Sequence, residues 1–282
     1  MIKLIDTHQH LVYPEVAGYG WTTDIPPLAD TAFPIEQYKA LTASADVVGT
    51  LFMETGVDDA DYKSEARFVA NLAKQPENGI VGIIASCRPE DDDGFIDWLD
   101  ECDDLSVVGY RRILHTMPDE VSTTPRFRKN VRAIGDRGRT FDLCILPGQL
   151  KLGAELAEVC DNTAFILNHC GVPDIAGGGL DPWRADMAAL ASLPNVNCKL
   201  SGILAYCAPG NANEAAIRPF VDHVFEVFGP KRIVWGSDWP VVNLANGVAD
   251  WIGVTNSILG TLSSDDAAAI GAGNAARIYG LQ

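Results

Sequence analysis

The stretch Ile2–His10, IKLIDTHQH, has the pattern of a short apolar β-strand that runs directly into two histidines. Alternate side chains of a β-strand share a face, so His8 and His10 are predicted to point the same way from its carboxyl end. Two imidazoles in one place can bind a metal ion, orient a carbonyl group or move a proton. An isolated His-x-His is weak evidence by itself, and the rest of the chain has to support it.

Seven more short apolar segments follow, and helical patterns separate them. The predicted strands continue at 47–54, 79–85, 107–113, 140–146, 164–169, 195–201 and 232–238. The predicted helices lie at 35–45, 60–74, 95–102, 126–136, 150–160, 185–193, 214–228, 248–259 and 265–279. This alternation over 282 residues predicts an α/β fold, a single (β/α)₈ TIM barrel that forms one domain over residues 1–282. A doubly wound open sheet is the alternative, but the first strand lacks the glycine-rich phosphate turn that such folds carry.

Composition excludes some partners. The formal net charge of −17 argues against nucleic acid and against anionic membranes as partners. The seven cysteines are an odd number without CxxC spacing, which favours free thiols in a reducing compartment. With neither a signal peptide nor a long apolar run, we expect a soluble cytoplasmic protein that acts on a small molecule. A homo-oligomer is compatible with the sequence.

Nearly every predicted strand ends in a polar, mostly ionisable residue. In TIM barrels the carboxyl ends of the strands carry the chemistry, and unpaired charges buried in one place would be costly. The residues at these ends therefore predict a catalytic site, although each alone has a structural alternative, such as a helix cap for Glu54 or an ion pair across the barrel for Asp142. The set is His8, His10, Glu54, Arg111, Arg112, Asp142, His169, Lys199, Ser201 and Asp238.

A long irregular segment, residues 11–34, follows the first strand and is rich in aromatic residues, proline and glycine. Loops of this length inside compact domains are often functional. The segment either covers a pocket, with Tyr13 as a substrate contact, or packs as an arm on the barrel wall. We expect substrate specificity to depend on the loops at 13–34, 171–181 and 206–213.

Six segments resemble the amidohydrolase superfamily, within it the branch of sugar-acid and dicarboxylate lactonases. The combination of the HxH, CKLSG and GSDWP motifs is more specific than any one of them. Matching residues span nearly the whole chain in the expected order, namely IDTHQH at 5–10, VGYRR at 108–112, FDL at 141–143, NHCGVP at 168–173, CKLSG at 198–202 and FGPKR through GSDWP at 228–240.

The resemblance implies a hydrolase that opens a small lactone to its hydroxy acid, with Asp238 as the general base. His8, His10 and His169 would polarise the carbonyl group directly or through one Zn²⁺. These histidines and Asp238 are the implied ligands of one divalent ion, and catalysis without a metal is equally compatible with the branch. A two-metal centre lacks ligands, because strand four ends in arginine and strand five offers no histidine.

Further roles follow from the resemblance and from strand geometry. Arg111, which matches the family's arginine, is the predicted bidentate grip on a carboxylate or on hydroxyls of the substrate, and Arg112 is a second candidate contact. The two are neighbours on a strand, so only one of them can face the barrel interior. Lys199 and Glu54 are additional candidate substrate contacts. Asn168 stands where the family usually has aspartate, which is expected to alter hydrogen bonding more than chemistry. A metal-dependent decarboxylase, a lactone isomerase and a non-catalytic binding barrel are the alternative functions.

Overall fold

A computed structural model describes residues 1–91 and 93–281. Eight parallel strands form one sheet in the order β1 to β8, each hydrogen-bonded to its neighbour in the chain. The predicted TIM barrel is confirmed. The strands are β1 (Leu4–Gln9), β2 (Val47–Met53), β3 (Ile80–Ser86), β4 (Val107–Ile113), β5 (Thr140–Cys144), β6 (Ala164–Leu167), β7 (Val196–Ser201) and β8 (Ile233–Gly236).

Helices cover the outside of the barrel and alternate with the strands. The segment predicted as one helix at 265–279 is α9 and α10 joined by a π-helical turn, Ala269–Gly273. The helices are α1 (Ile35–Thr42), α2 (Tyr62–Ala73), α3 (Phe95–Asp103), α4 (Pro125–Asp136), α5 (Leu150–Val159), α6 (Trp183–Ala191), α7 (Glu214–Phe228), α8 (Val248–Leu259), α9 (Ser264–Ala268) and α10 (Asn274–Ile278). Among the described residues, no helix has the length and apolar character needed to cross a membrane.

Main-chain hydrogen bonds tie the first strand to the segment after the last one. The amide of His10 donates to the carbonyl of Trp239, and the amide of Asp238 donates to the carbonyl of His8, both at 2.8 Å. The carboxylate of Asp6 accepts a further bond from the amide of Ser237 at 2.8 Å. These bonds bring both ends of the sheet together, so the two histidines of β1 lie beside Asp238.

Several predicted strands, β6 and β8 among them, end one or two residues earlier than the sequence pattern suggests. β6 ends at Leu167 and β8 at Gly236, so His169 and Asp238 lie in the turns that follow. Both residues have positive φ angles, 51° and 59°, which are uncommon for residues other than glycine. Such conformations cluster at functional sites, and here both residues face the cavity at the carboxyl end of the barrel.

The apolar core has two parts. A small cluster fills the barrel interior, where Leu51, Met53 and Ile84 pack with Tyr279 from the segment after α10. A larger cluster lies between the barrel and its helices and contains most of the buried aromatic side chains. The interior cluster closes the amino-terminal end of the barrel, which leaves the carboxyl end for the polar residues.

Candidate active site

A cavity of about 410 Å³ opens at the carboxyl ends of the strands. Four predicted site residues line it: His10, Arg111, His169 and Asp238. His8 lies directly beneath them and is fully buried. The strand-end residues are therefore not scattered, because five of them meet at one place.

Asp238 lies at the centre of the histidines. Its Oδ1 atom is 3.6 Å from Nε2 of His8 and 3.4 Å from Nε2 of His10. Its Oδ2 atom is 3.7 Å from Nδ1 of His169 and has no hydrogen-bond partner among the residues that the structure describes. The carboxylate is almost completely buried, and Oδ2 is enclosed by protein without a hydrogen-bond partner in the described part of the chain.

The tautomer of His10 follows from its environment. Its Nδ1 atom lies 3.0 Å from the carbonyl oxygen of Met53, which can only accept a hydrogen bond. Nδ1 therefore carries a proton, and Nε2 faces Oδ1 of Asp238 at 3.4 Å.

The ring of His169 is also oriented by contacts of its Nδ1 atom. Its Nδ1 atom is 2.9 Å from the hydroxyl of Ser201 and 3.3 Å from the Ser201 carbonyl oxygen. Burial lowers the pKa of His169, and the Asp238 carboxylate opposes that shift only in part. The pKa of His8 is also well below its usual value, because the ring is buried beside other cationic groups. At neutral pH these rings are uncharged.

Two glycines of the family motifs make room for this cluster. A Cβ atom at Gly202 would lie 2.3 Å from Cβ of Asp238, and one at Gly236 would lie 2.7 Å from Cβ of His8. Real Cβ atoms do not approach so closely, and the neighbours are parts of the site that cannot move away. The glycines of the CKLSG and GSDWP motifs therefore allow the strands β7 and β8 to carry Asp238 against His8.

The residues that fit a metal ion are His8, His10 and Asp238, whose ligand atoms all lie within 4.8 Å of one another. Two imidazoles and a carboxylate suit Zn²⁺, and the bond from His10 to Met53 orients its ring as metal-bound histidines commonly are. His169, the fourth predicted ligand, is not part of this group among the described residues.

The positive charge of Arg111 is balanced by an ion pair with Glu54. Its Nε atom donates to Oε1 of Glu54 at 2.5 Å, and its Nη2 atom donates to the Glu54 carbonyl oxygen at 2.6 Å. The Nη1 atom makes longer contacts, 3.4 Å to Nε2 of His8 and 3.5 Å to Oδ1 of Asn168. Burial alone would lower the pKa of Arg111, but the Glu54 carboxylate outweighs burial and raises it, so the guanidinium stays charged.

The Arg111 guanidinium lies against Nε2 of His8, the atom that also faces Asp238. Its charge lies against the His8 ring, and β4 offers no carboxylate or lysine at this place. Among the described residues, His8, His10 and Asp238 form the one group placed to hold an ion. Glu54, predicted as a substrate contact, instead has its carboxylate paired with Arg111 and hydrogen-bonded to the amide of Gly56.

Lys199 and Asp142 form a fully buried ion pair beneath the cavity. Nζ of Lys199 donates to Oδ1 of Asp142 at 2.6 Å and to the Thr7 carbonyl oxygen at 2.9 Å. Nδ2 of Asn168 donates to the same Asp142 oxygen at 2.7 Å. Lys199 has no exposed surface and does not line the cavity, so its prediction as a substrate contact is corrected to a structural role.

Arg112 and Tyr13 also lie away from the cavity. Arg112 faces the opposite side of β4 from Arg111, because neighbouring side chains of a strand alternate, and it pairs with Glu90 at 2.5 Å. The hydroxyl of Tyr13 accepts a hydrogen bond from the amide of Ile35 at 3.1 Å. Both predicted substrate contacts are therefore corrected to residues that hold the barrel wall and the first loop.

Sequence reasoning missed several cavity residues. Cys144 lies two residues after Asp142 on β5 and therefore faces the same way, one step nearer the cavity. Nδ1 of His115 lies 3.3 Å from its sulfur atom. Trp21, Val172 and Tyr206 come from the three loops predicted to set specificity, one from each. Strand alternation would have found Cys144, whereas no local pattern indicates the loop residues.

Glu65 on α2 is a buried carboxyl group behind the Arg111–Glu54 pair, and it accepts a hydrogen bond from the Thr55 amide at 3.1 Å. Burial, followed by the nearby Glu54 carboxylate, raises the pKa of Glu65 from 4.5 to about 8. Between these pH values the folded protein keeps a proton that the unfolded chain has lost. The contribution of Glu65 to stability is therefore complete below pH 4.5 and is lost as the pH rises to about 8.

Replacing Glu65 with Gln is expected to remove this pH dependence. Glutamine keeps the acceptor for Thr55 without a charge, so at pH 9 the variant should be more stable than the natural protein by on the order of 3 kcal/mol. At pH 4 the two should be equally stable. Urea unfolding at both pH values measures the difference, and parallel stability profiles from pH 4 to 9 would contradict the raised pKa.

Comparisons with known proteins place this geometry among relatives. The sequence profile of a family described as amidohydrolase matches residues 5–281. An L-fucono-1,5-lactonase from Burkholderia ambifaria is 27% identical over 280 residues, which cover 98% of this chain and 94% of the relative. An uncharacterized protein of Sinorhizobium fredii, y4mH, is 29% identical over 267 residues, 86% of each chain.

A solved structure shares the fold. The crystal structure of an amidohydrolase from Burkholderia multivorans with bound zinc superimposes with a TM-score of 0.90 and 24% sequence identity. The match covers 99% of this chain and 100% of that one.

Proposed function

Because the chain belongs to the amidohydrolase family, we propose that it hydrolyses the ester bond of a small lactone, with Asp238 as the general base. The observation that carries the proposal is the Asp238 carboxylate, which lines the cavity and keeps one oxygen without a hydrogen-bond partner in the described part of the chain. The relative named L-fucono-1,5-lactonase supports a lactone as the substrate class.

The reaction needs three events at this site. Asp238 accepts a proton from a water molecule as the water oxygen attacks the lactone carbonyl carbon. The tetrahedral oxyanion then collapses, and the bond between the carbonyl carbon and the ring oxygen breaks. Asp238 returns the proton to the departing alkoxide, which gives the open hydroxy acid. One carboxylate can serve both steps because the proton it gains in the first is the one it gives up in the second.

Arg111 is the group best suited to stabilise the oxyanion. It is positively charged, it lines the cavity, and its Nη1 atom makes only the long contacts to His8 and Asn168 among the described residues. The hydrogen bonds to Glu54 keep the rest of the guanidinium in place, so Nη1 is preorganised where charge develops.

His8, His10 and Asp238 would hold a divalent ion such as Zn²⁺. When bound, such an ion supplies Lewis acidity and lowers the pKa of a water molecule bound to it. The second oxygen of Asp238, Oδ2, lies 3.7 Å from Nδ1 of His169 and has no hydrogen-bond partner among the described residues.

A panel of 1,4- and 1,5-lactones tests the proposal with a pH indicator that reports acid release. The assay is run as purified, after chelator treatment, and after zinc is added back, which measures the contribution of an ion. We expect acid release from at least one lactone, with the open hydroxy acid as the product identified by NMR. Release of carbon dioxide from carboxylated substrates in place of ring opening, or a rearranged lactone as the product, would instead show the alternative decarboxylase or isomerase activity.

A further inference from the structure

Resting on the proposed lactone hydrolysis, we propose that this site selects uncharged single-ring lactones and rejects lactones that carry a carboxylate on the ring or its side chain. The proposal follows from where the charges around the cavity lie and how they are already paired. The shape of the cavity and the chemistry of its wall point to the same substrate class.

The first step concerns positive charge. Among the described residues that line the cavity, Arg111 is the single lysine or arginine. Its Nε and Nη2 atoms are hydrogen-bonded to Glu54, and its charge is balanced by the buried carboxylate of the same residue. Arg111 therefore offers one N–H group near the scissile carbonyl but no uncompensated cation for a second, anionic group of the substrate.

The other basic side chains at the strand ends are committed elsewhere. Arg112 pairs with Glu90 on the outer face of β4, and Lys199 pairs with Asp142 beneath the cavity. His115 reaches the cavity, but burial and the nearby Arg111 lower its pKa, so it is uncharged at neutral pH. A substrate carboxylate would thus have no free basic partner among the described residues that line the cavity.

The second step concerns the wall above the catalytic residues. Ile113 lies two residues beyond Arg111 on β4, and Leu146 lies two residues beyond Cys144, so both extend the cavity surface away from its floor. Val172, Val241 and the rings of Trp21 and Tyr206 complete an uncharged wall. A carboxylate placed against this wall would lose water without gaining a partner, which is strongly unfavourable.

The third step concerns negative charge. Asp238 faces the same enclosed space and is ionised when it acts as the base. When no divalent ion is bound to Asp238, a substrate carboxylate would approach it at short range, and like charges at close quarters oppose binding. The surface as a whole carries an excess of acidic groups, with a formal net charge of −17, which further disfavours an anion.

The aromatic side chains favour a ring with an apolar face. The indole of Trp21 is fixed by a hydrogen bond from Nε1 to the Thr55 carbonyl oxygen at 2.8 Å. A volume of about 410 Å³ is within the range for small-ligand sites, which are mostly apolar with a few placed polar groups. Three polar groups also line the cavity: the Thr116 hydroxyl, the His115 imidazole and the Cys144 thiol. They can form hydrogen bonds with the hydroxyls of an uncharged sugar lactone.

The experiment compares matched substrates. Each aldonolactone of a panel is paired with the aldarolactone that has a carboxylate in place of the terminal CH₂OH group, and kcat/KM is measured for both. We expect the neutral member to be preferred by about 100-fold or more. The ratio should shrink as salt is added, because salt screens the repulsion between Asp238 and the anion.

A cation introduced into the wall provides a second readout. Leu146 is 44% exposed, so Leu146→Arg can be accommodated, and we expect it to lower KM for the carboxylated member by about tenfold relative to Leu146→Gln. Leu146→Gln is the control for the lost leucine side chain. The comparison is made on the ratio between the paired substrates, so a general loss of activity in either variant does not affect it.

The outcomes separate the two proposals. If a neutral lactone and its carboxylated partner are hydrolysed with similar kcat/KM, the selection for uncharged substrates is wrong, although lactone hydrolysis stands. If carboxylated lactones alone are hydrolysed, the selection for uncharged substrates is also wrong. If no lactone of either kind is opened, the proposed function fails and this inference fails with it.

Discussion

Asp238→Asn is expected to lower kcat for lactone hydrolysis by about 1,000-fold while the protein still folds, since general base catalysis contributes on this scale. The amide cannot accept the proton of the attacking water, whereas it has nearly the same shape as the carboxylate. Asparagine also tolerates the positive φ of 59° at this position better than most residues do. The main-chain bond from residue 238 to the His8 carbonyl is unaffected by the substitution.

The measurement compares kcat of the natural protein and the variant on the best lactone of the panel, with thermal unfolding followed by circular dichroism. Asp222→Asn, an exposed residue on α7 that pairs with Arg218, is the matched control for the loss of one negative charge. The control should keep full activity. A rate for Asp238→Asn within tenfold of the natural protein, with Asp222→Asn equally active, would show that Asp238 is not the base.

The second large effect is on stability. Lys199→Met is expected to lower the free energy of unfolding by about 3–5 kcal/mol, the usual result of removing one partner of a buried ion pair. Asp142 would be left inside the barrel without its cationic partner and with only Asn168, among the described residues, to donate to it. The methionine side chain fills a similar volume, so the loss reflects the unpaired charge more than a cavity.

Lys199→Met combined with Asp142→Asn is the matched control. The amide oxygen that this double variant carries at position 142 still accepts the bond from Asn168, and no charge remains unpaired. We expect the double variant to recover more than half of the lost stability in urea unfolding, which a double-mutant cycle would report as strong coupling. A loss below about 1 kcal/mol for Lys199→Met alone would contradict the buried charge pair.

The local pattern of apolar and polar residues was sufficient to predict the barrel architecture. Apolar runs of strand length alternate with helical periodicity along the chain, and these two periods depend only on neighbouring residues. The polar residues at the strand ends follow from the same patterns, because parallel strands of one barrel share a carboxyl end. His8, His10, Arg111, His169 and Asp238 were found in this way, and the structure brings them to one cavity.

The roles of individual charged residues depended on packing across the barrel. Glu54 and Arg111 are 57 positions apart, as are Asp142 and Lys199, and nothing near either residue in sequence indicates its partner. Pairing turned Glu54 and Lys199 from candidate substrate contacts into buried supports. For Asp142, an ion pair across the barrel was among the alternatives, and the structure identifies its partner.

The identity of the fold and the chemical types at its catalytic end are thus properties of the sequence pattern, since strand and helix periods are local. The three-residue metal group, the tautomer of His10 and the uncharged cavity wall are properties of the folded chain. They arise where side chains from distant strands and loops meet, and burial there decides which groups keep a charge, a proton or a free lone pair.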